Sequence, residues 1–404
     1  MVATDSARPR LRAVDVRQTQ HNGQPCLVLR DPLQLAEGAL IVSQQVGPLL
    51  ALCDGTRDRA ELRAELRQRY GLLIDADLLD GLLRALDEAL LLDNGRFAAA
   101  RAEAVAAYRR APHRPLSFAD QIYPADPHEL RRMLDGYLDG AAGIDFAPAG
   151  RGILSPHIDY ARGGPVYGAV WRRAAEWINE VDLVVLFGTD HYGGGRLTLT
   201  RQHYATPYGI LPTPVDLVDR LAAALGPQAM EGELLHCGEH AIELVAVWLH
   251  HMRGGQPCEL LPVLCGSFAD FTRGGARPAD DPMIGTLLET LRSATAGRRV
   301  AFVASGDLAH VGPAFGGAAL GPTQYARLRD SDGALIERLG AGDAEGFLGA
   351  VRAVRDRNNI CGLPPTYLLL RALGETRGEC VAYAQCPADD YDTSAVSVAG
   401  VVFQ

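Results

Sequence analysis

The sequence predicts an α/β protein, a sandwich with a central and partly parallel sheet, preceded by a small winged-helix domain. Three observations carry that prediction. A chain of 404 residues exceeds what a single hydrophobic core usually holds, so two domains are expected, 1–112 and 113–404. The first 112 residues offer three helical segments followed by an Asn-Gly pair between short apolar runs. From residue 150 onward, short apolar runs alternate with amphipathic stretches, as strands and helices do when they interleave.

Taken in order, Cys26 to Leu29 reads as a short strand that turns at Asp31-Pro32. A helix over about Gln44 to Cys53 stops at Asp54-Gly55, and a second from Asp58 to Tyr70 stops at Gly71, with Leu62, Leu66 and Tyr70 facing inward. The third begins near Asp75 and sets Leu78, Leu79, Leu82, Leu83, Leu86 and Leu90 on one face. Leu91 to Phe97, with Asn94-Gly95 at its centre, reads as a hairpin, the wing of the domain. Ala98 to Arg110 continues as a helix into Pro112-His113-Arg114-Pro115, which reads as a linker.

The second domain opens with a helix start: Asp126 as N-cap, Pro127 at the first helical position and Glu129 at the capping-box position. Strands are expected at 152–154, 181–187, 260–264, 300–304, 381–384 and 396–403. Helices are expected near 165–178, 214–224, 239–252, 281–295, 326–339, 343–354 and 365–373.

Composition narrows the function. The chain is 48% hydrophobic and 22% charged, as soluble globular proteins are. No apolar run is long enough to cross a membrane and the first ten residues lack the core of a signal peptide, so a cytoplasmic location is expected. Eight cysteines without a C-x-x-C pair indicate neither a zinc ribbon nor a disulfide framework. All 39 basic residues are Arg, which excludes a P-loop lysine and any Schiff-base lysine. The net charge of -10 falls wholly on the second domain, and the third helical segment is acidic, so no nucleic-acid partner is expected.

In a parallel sheet, ligands gather beyond the carboxyl ends of strands. Three apolar runs here end in a histidine: Ile153-Leu154 leads to His157, Val184 to Phe187 leads to His191, and Val303-Ala304 leads to His310. Asp159, Asp190 and Asp307 lie beside them and are expected to orient imidazoles, as metal-bound histidines require. His240 and Glu243 share a face of a predicted helix, where they serve either the site or a hydrogen bond to each other.

At Pro156-His157, Gly188-Thr189-Asp190-His191, Glu239-His240-Ala241-Ile242-Glu243, Ser305-Gly306-Asp307 with His310, Asn359 to Gly362 and Asp392 to Gly400, the sequence resembles the Memo family. The resemblance runs from about residue 116 to 404, and it implies a fold like that of class III extradiol dioxygenases. Carried over by position, it implies His157, His191 and Cys361 as metal ligands, with His310 in the same pocket. Ile158, Asp159, Arg162, Asp120 and Gln121 depart from the family's pattern and add charge near the mouth. Leu49 to Arg57, Tyr70-Gly71 and the leucine-rich helix resemble PqqD-like domains, which implies docking of a peptide or a radical-SAM protein partner; dimerisation is the plainer alternative.

Two imidazoles and a thiolate leave a coordination position open and favour Fe(II), Cu(I) or Zn(II) over Mg(II) and Ca(II). A non-haem iron or copper redox protein is the leading expectation, with Fe(II) as the ion and His310 as its proton donor or acceptor. A zinc hydrolase and a non-catalytic accessory protein are the alternatives.

Overall fold

The structure is a computed structural model and describes residues 8–36 and 38–404. The chain start, where a leader segment would fall, lies largely outside the described residues. The chain divides into two compact units, Met1–Arg110 and Ala111–Gln404.

In the first unit, β1 (Asp15–His21), β2 (Gln24–Arg30) and β3 (Ala39–Ser43) form an antiparallel sheet in that order. Asn22 and Gly23 join β1 to β2 with φ of 51° and 75°, the left-handed pair that a two-residue type I′ hairpin requires. Helices follow at Gly47–Leu52, Arg59–Tyr70, Ala76–Glu88 and Gly95–Arg110. Asp58 and Glu61 close a capping box on the second of these, and Gly71 ends it in the left-handed region. Leu62, Leu66, Leu79, Leu83 and Leu86 pack with Leu27 and Leu29 of the sheet, while Tyr70 and Leu78, expected inward, are exposed.

Leu91 to Phe97 does not form the expected wing. Asn94 accepts a hydrogen bond from Phe97 N at 3.0 Å and donates one to Asp87 at 2.6 Å, so it caps the Gly95–Arg110 helix instead of turning a hairpin. Of the two Asn-Gly pairs in this unit, the one at 22–23 makes the hairpin, and the sheet precedes the helices.

In the second unit the strands are β4 (Gly152–Ser155), β5 (Leu183–Thr189), β6 (Leu197–Leu199), β7 (Tyr204–Thr206), β8 (Gly209–Leu211), β9 (Glu259–Cys265), β10 (Val300–Ser305), β11 (His310–Val311), β12 (Gly378–Pro387) and β13 (Ala395–Phe403). The main sheet runs β11-β13-β4-β10-β5-β9-β6, with β12 on β13, while β7 and β8 form a separate hairpin. β4, β10, β5 and β9 are mutually parallel; β13 and β6 flank them antiparallel. β5 is buried at every residue, as a strand covered on both faces must be.

All six strands expected from the apolar runs are present. Their register matters most: Ser305 pairs with Ser155 on one side and Gly188 on the other, so β4, β10 and β5 end level. The segments beyond those ends emerge side by side. The helix Leu363–Leu373 packs over β10 and β5, the helix His240–Met252 also contacts them, and the helix Tyr160–Ile178 packs on β13 and β12.

Candidate metal centre

His157, His191 and Cys361 converge at those level strand ends, each offering a donor atom within 4.8 Å of the others. His157 Nε2 lies 3.2 Å from Cys361 Sγ, and its ring centroid is 5.0 Å from that of His191. His157 is held twice: Asp307 accepts a hydrogen bond from its backbone N–H at 2.8 Å, and Ser305 Oγ lies 3.4 Å from its Nδ1. Cys361 lies two residues before the helix Leu363–Leu373, whose N-terminal dipole favours a thiolate. Thr189 Oγ donates to Cys361 O at 2.9 Å and pins the loop to β5.

His191 is fixed by Glu239. Its backbone N–H donates to Glu239 Oε2 at 3.0 Å and its Nδ1 to Oε1 at 3.0 Å, which leaves Nε2 facing the crevice. The same carboxylate lies 3.2 Å from His240 Nδ1, and the His191 and His240 rings stack at 4.7 Å. His310 forms a group with Asp307 and Cys361. Its Nδ1 lies 3.3 Å from Leu308 O and 3.2 Å from Asn359 O, so Nδ1 carries the proton and Nε2 is the free acceptor.

The charges follow from burial. Desolvation lowers the pKa of His157 to about 3, against the pull of Asp307, so the ring is a neutral donor. Burial also lowers that of His310. Burial opposes protonation of His191 too, but the Glu239 carboxylate outweighs it and raises that pKa well above its ordinary value. Burial raises the Cys361 thiol, with His191 pulling the other way. A divalent cation would reverse both and release their protons.

Other residues singled out in the sequence lie elsewhere. Asp159 caps the helix Tyr160–Ile178 and pairs with Arg162, not with an imidazole. Asp190 accepts from the backbone N–H of Tyr192 and Gly193. Asp307 serves the backbone of His157 and Ile158, with its Oδ2 3.8 Å from His157 Nε2. Glu243 does not bond His240. It is buried with Arg114 as an ion pair and accepts from Tyr123 Oη and from the backbone N–H of Ser117 and Phe118.

That pair corrects the linker. Arg114 is fully buried, donates to His236 O at 2.6 Å, Cys237 O at 2.9 Å and Glu239 O at 3.2 Å, and bridges to Tyr204 through its backbone. Pro112 to Pro115 is a strap across the turn that carries Glu239. Glu239 itself drew no role from the sequence, where it stands as the first residue of the helix expected over 239–252. In the structure it is the N-cap of that helix as well, accepting from Ala241 N at 3.0 Å.

A partly parallel α/β sheet with imidazoles and one thiol gathered at its strand ends is the class that fold and site define. A sequence profile described as Memo-like protein matches residues 114–402, and the chain belongs to that family. It is similar to a MEMO1 family protein of Aquifex aeolicus, 29% identical over 384 residues that cover 93% of this chain and 95% of that protein. MEMO1 family proteins of Thermus thermophilus (28% over 329 residues, 81% of this chain and 93% of that protein) and Methanopyrus kandleri (27% over 301 residues, 71% and 97%) are similar too. The Aquifex alignment is longer than the second unit alone and so reaches into the first.

Proposed function

We propose that the chain is a redox-type metal-binding protein in which His157, His191 and Cys361 hold iron or copper and His310 stands at the open side. The observation that carries this reading is the convergence of the three donors from three separate loops, with Nδ1 of each histidine already engaged by a neighbour. The donor set fits such an ion: ligand bonds of ordinary length at tetrahedral angles put nitrogen and sulfur about 3.5 Å apart, and His157 Nε2 and Cys361 Sγ are 3.2 Å apart. The thiolate suits Cu(I), Zn(II) or Fe(II) and disfavours Mg(II); of the three, iron and copper fit a redox role. Iron or copper bound there would supply one-electron chemistry and an open coordination position.

The chain's own groups have separable tasks. Glu239 holds His191 in one tautomer, and Ser305 and Asp307 hold His157. His310, its Nδ1 proton committed to Leu308 O and Asn359 O, has Nε2 available to take or return a proton.

Anaerobic reconstitution with Fe(II), followed by elemental analysis, tests the assignment. His157→Ala, His191→Ala and Cys361→Ser should each lose most of the metal, while His310→Ala keeps it and impairs oxygen uptake. Full metal in Cys361→Ser beside an empty His310→Ala would overturn the ligand set and favour a zinc hydrolase.

A second reading, an accessory protein that docks a peptide or a radical-SAM partner, draws on the first unit. There β3 is a sheet edge, paired on one side by β2, and a cavity of about 600 Å³ lies beside it, lined by Leu29, Leu35, Leu40, Leu90 and Leu91. Peptide capture by this unit, with no turnover under Fe(II) or Zn(II), would favour it.

A further inference from the structure

We propose that Asn359 is a positioning residue for His310: it holds the imidazole in one tautomer and ties it to the turn that carries Cys361. The clamp rests on the metal-centre reading for the use made of His310, and not for its own bonds.

Eight non-glycine residues have positive φ among the described residues, and three of them, Arg355, Asp356 and Asn359, lie just before Cys361. Backbone of that kind persists where the surrounding structure over-determines it, and it gathers at functional sites. Asn359 has a φ of 50°, a left-handed conformation that Asn adopts more readily than most residues.

The turn holds His310 at three points. His310 N–H donates to Asn358 O at 2.8 Å, Asn359 Nδ2 donates to His310 O at 3.0 Å, and His310 Nδ1 lies 3.2 Å from Asn359 O. Backbone donor, backbone acceptor and ring are all engaged by two neighbouring residues. Leu308 O, 3.3 Å from the same Nδ1, is the ring's other hydrogen-bond partner among the described residues. Phe315 packs edge-on against the imidazole at 5.1 Å but cannot choose its tautomer. The turn is itself anchored: Asp356 Oδ1 accepts from Ile360 N at 2.9 Å, Asn358 Nδ2 donates to Ser331 Oγ at 3.1 Å, and Gly362 N donates to Asp307 O at 2.9 Å. His310 and Cys361 are thereby fixed to one block, with donor atoms of both and of Asp307 within 4.8 Å of one another. An imidazole whose Nδ1–H is pinned presents Nε2 as an acceptor; released, it samples both tautomers.

Long-range proton–nitrogen NMR of the metal-free full chain, labelled with nitrogen-15 histidine, tests this because it reads which ring nitrogen carries the proton. The His310 signals are those missing from His310→Ala. In the unmodified chain they should show the Nδ1–H form alone. Asn359→Ala lacks the amide and disfavours the left-handed turn, whereas Asn359→Asp keeps the turn but sets a carboxylate against His310 O. Both should show a second, Nε2–H tautomer of His310, with the signals of His157 and His191 unchanged. If Asn359→Ala does not fold, as judged by circular dichroism, Asn359→Asp decides alone. A pure Nδ1–H form that survives in Asn359→Asp, or His157 and His191 disturbed as much as His310, overturns the proposal. Elemental analysis after Fe(II) loading separates the two readings. Mixed tautomers in variants of a chain that takes up no iron support the clamp and sink the metal centre, and iron uptake with His310 unchanged in the variants does the reverse.

Discussion

Glu239 works harder than any other side chain at the site. Its two oxygens receive the backbone N–H and Nδ1–H of His191, the Nδ1 of His240 and the backbone N–H of Ala241. Glu239→Gln keeps the shape and removes the charge, so metal affinity should fall about 10- to 100-fold, the usual cost of losing such a partner. Competition with a chromophoric chelator reads that loss, and unchanged affinity would remove Glu239 from the account. The histidines were legible in the sequence because apolar runs stop at them. The residue that orients two of them was not, because in the sequence it is one more first-turn residue of the helix expected over 239–252. Glu243 failed in the opposite way: three residues from His240 it shares a helix face, yet its partner is Arg114, 129 positions back along the chain.

Among elements, the strap from Pro112 to Pro115 is the most consequential. Between two prolines just past the helix expected to end at Arg110, Arg114 looks like linker. In the fold it neutralises Glu243 and ties down the carbonyls of His236, Cys237 and Glu239. Arg114→Ala leaves a buried carboxylate without its cation and should cost about 3–5 kcal/mol in urea unfolding. A loss below about 1 kcal/mol, the level of a surface pair, would show the strap to be dispensable. By the same argument, a chain begun at Pro115 lacks what one begun at Ala111 retains. The hairpin of the first unit makes a related point. Asn22-Gly23 and Asn94-Gly95 are the same dipeptide, and the residues next in the chain decide the use of each: Gln24 to Arg30 can pair as a strand, whereas Gly95 to Arg110 coils into a helix. β1 escaped notice because its alternation is mostly among polar residues, Asp15 to His21, on a sheet edge.

For the whole molecule, pH is a sensitive probe. Burial lowers the pKa of His236 to about 3, and that of His250 is lowered by burial as well. Unfolded, both return to about 6.5. Between about 3 and 6.5 the unfolded chain holds a proton on His236 that the native one does not, so stability falls as pH drops below about 6.5, by up to about 1.4 kcal/mol per pH unit for that residue, and His250 adds in the same direction. Urea midpoints from pH 7 to pH 5 should follow that slope, and His236→Gln should flatten it; a flat profile in the unmodified chain would refute the burial argument.

The level ending of β4, β10 and β5 also sets an order in time. His157 and Cys361 stand 204 residues apart in sequence, and β13, which pairs with β4, closes only with residues 395–403. A growing chain has no complete cluster until Cys361 has been made and the last strand has docked. Any ion held by all three donors is captured only after Cys361 has been made. Loading is then a question of delivery to a second unit already folded around the site.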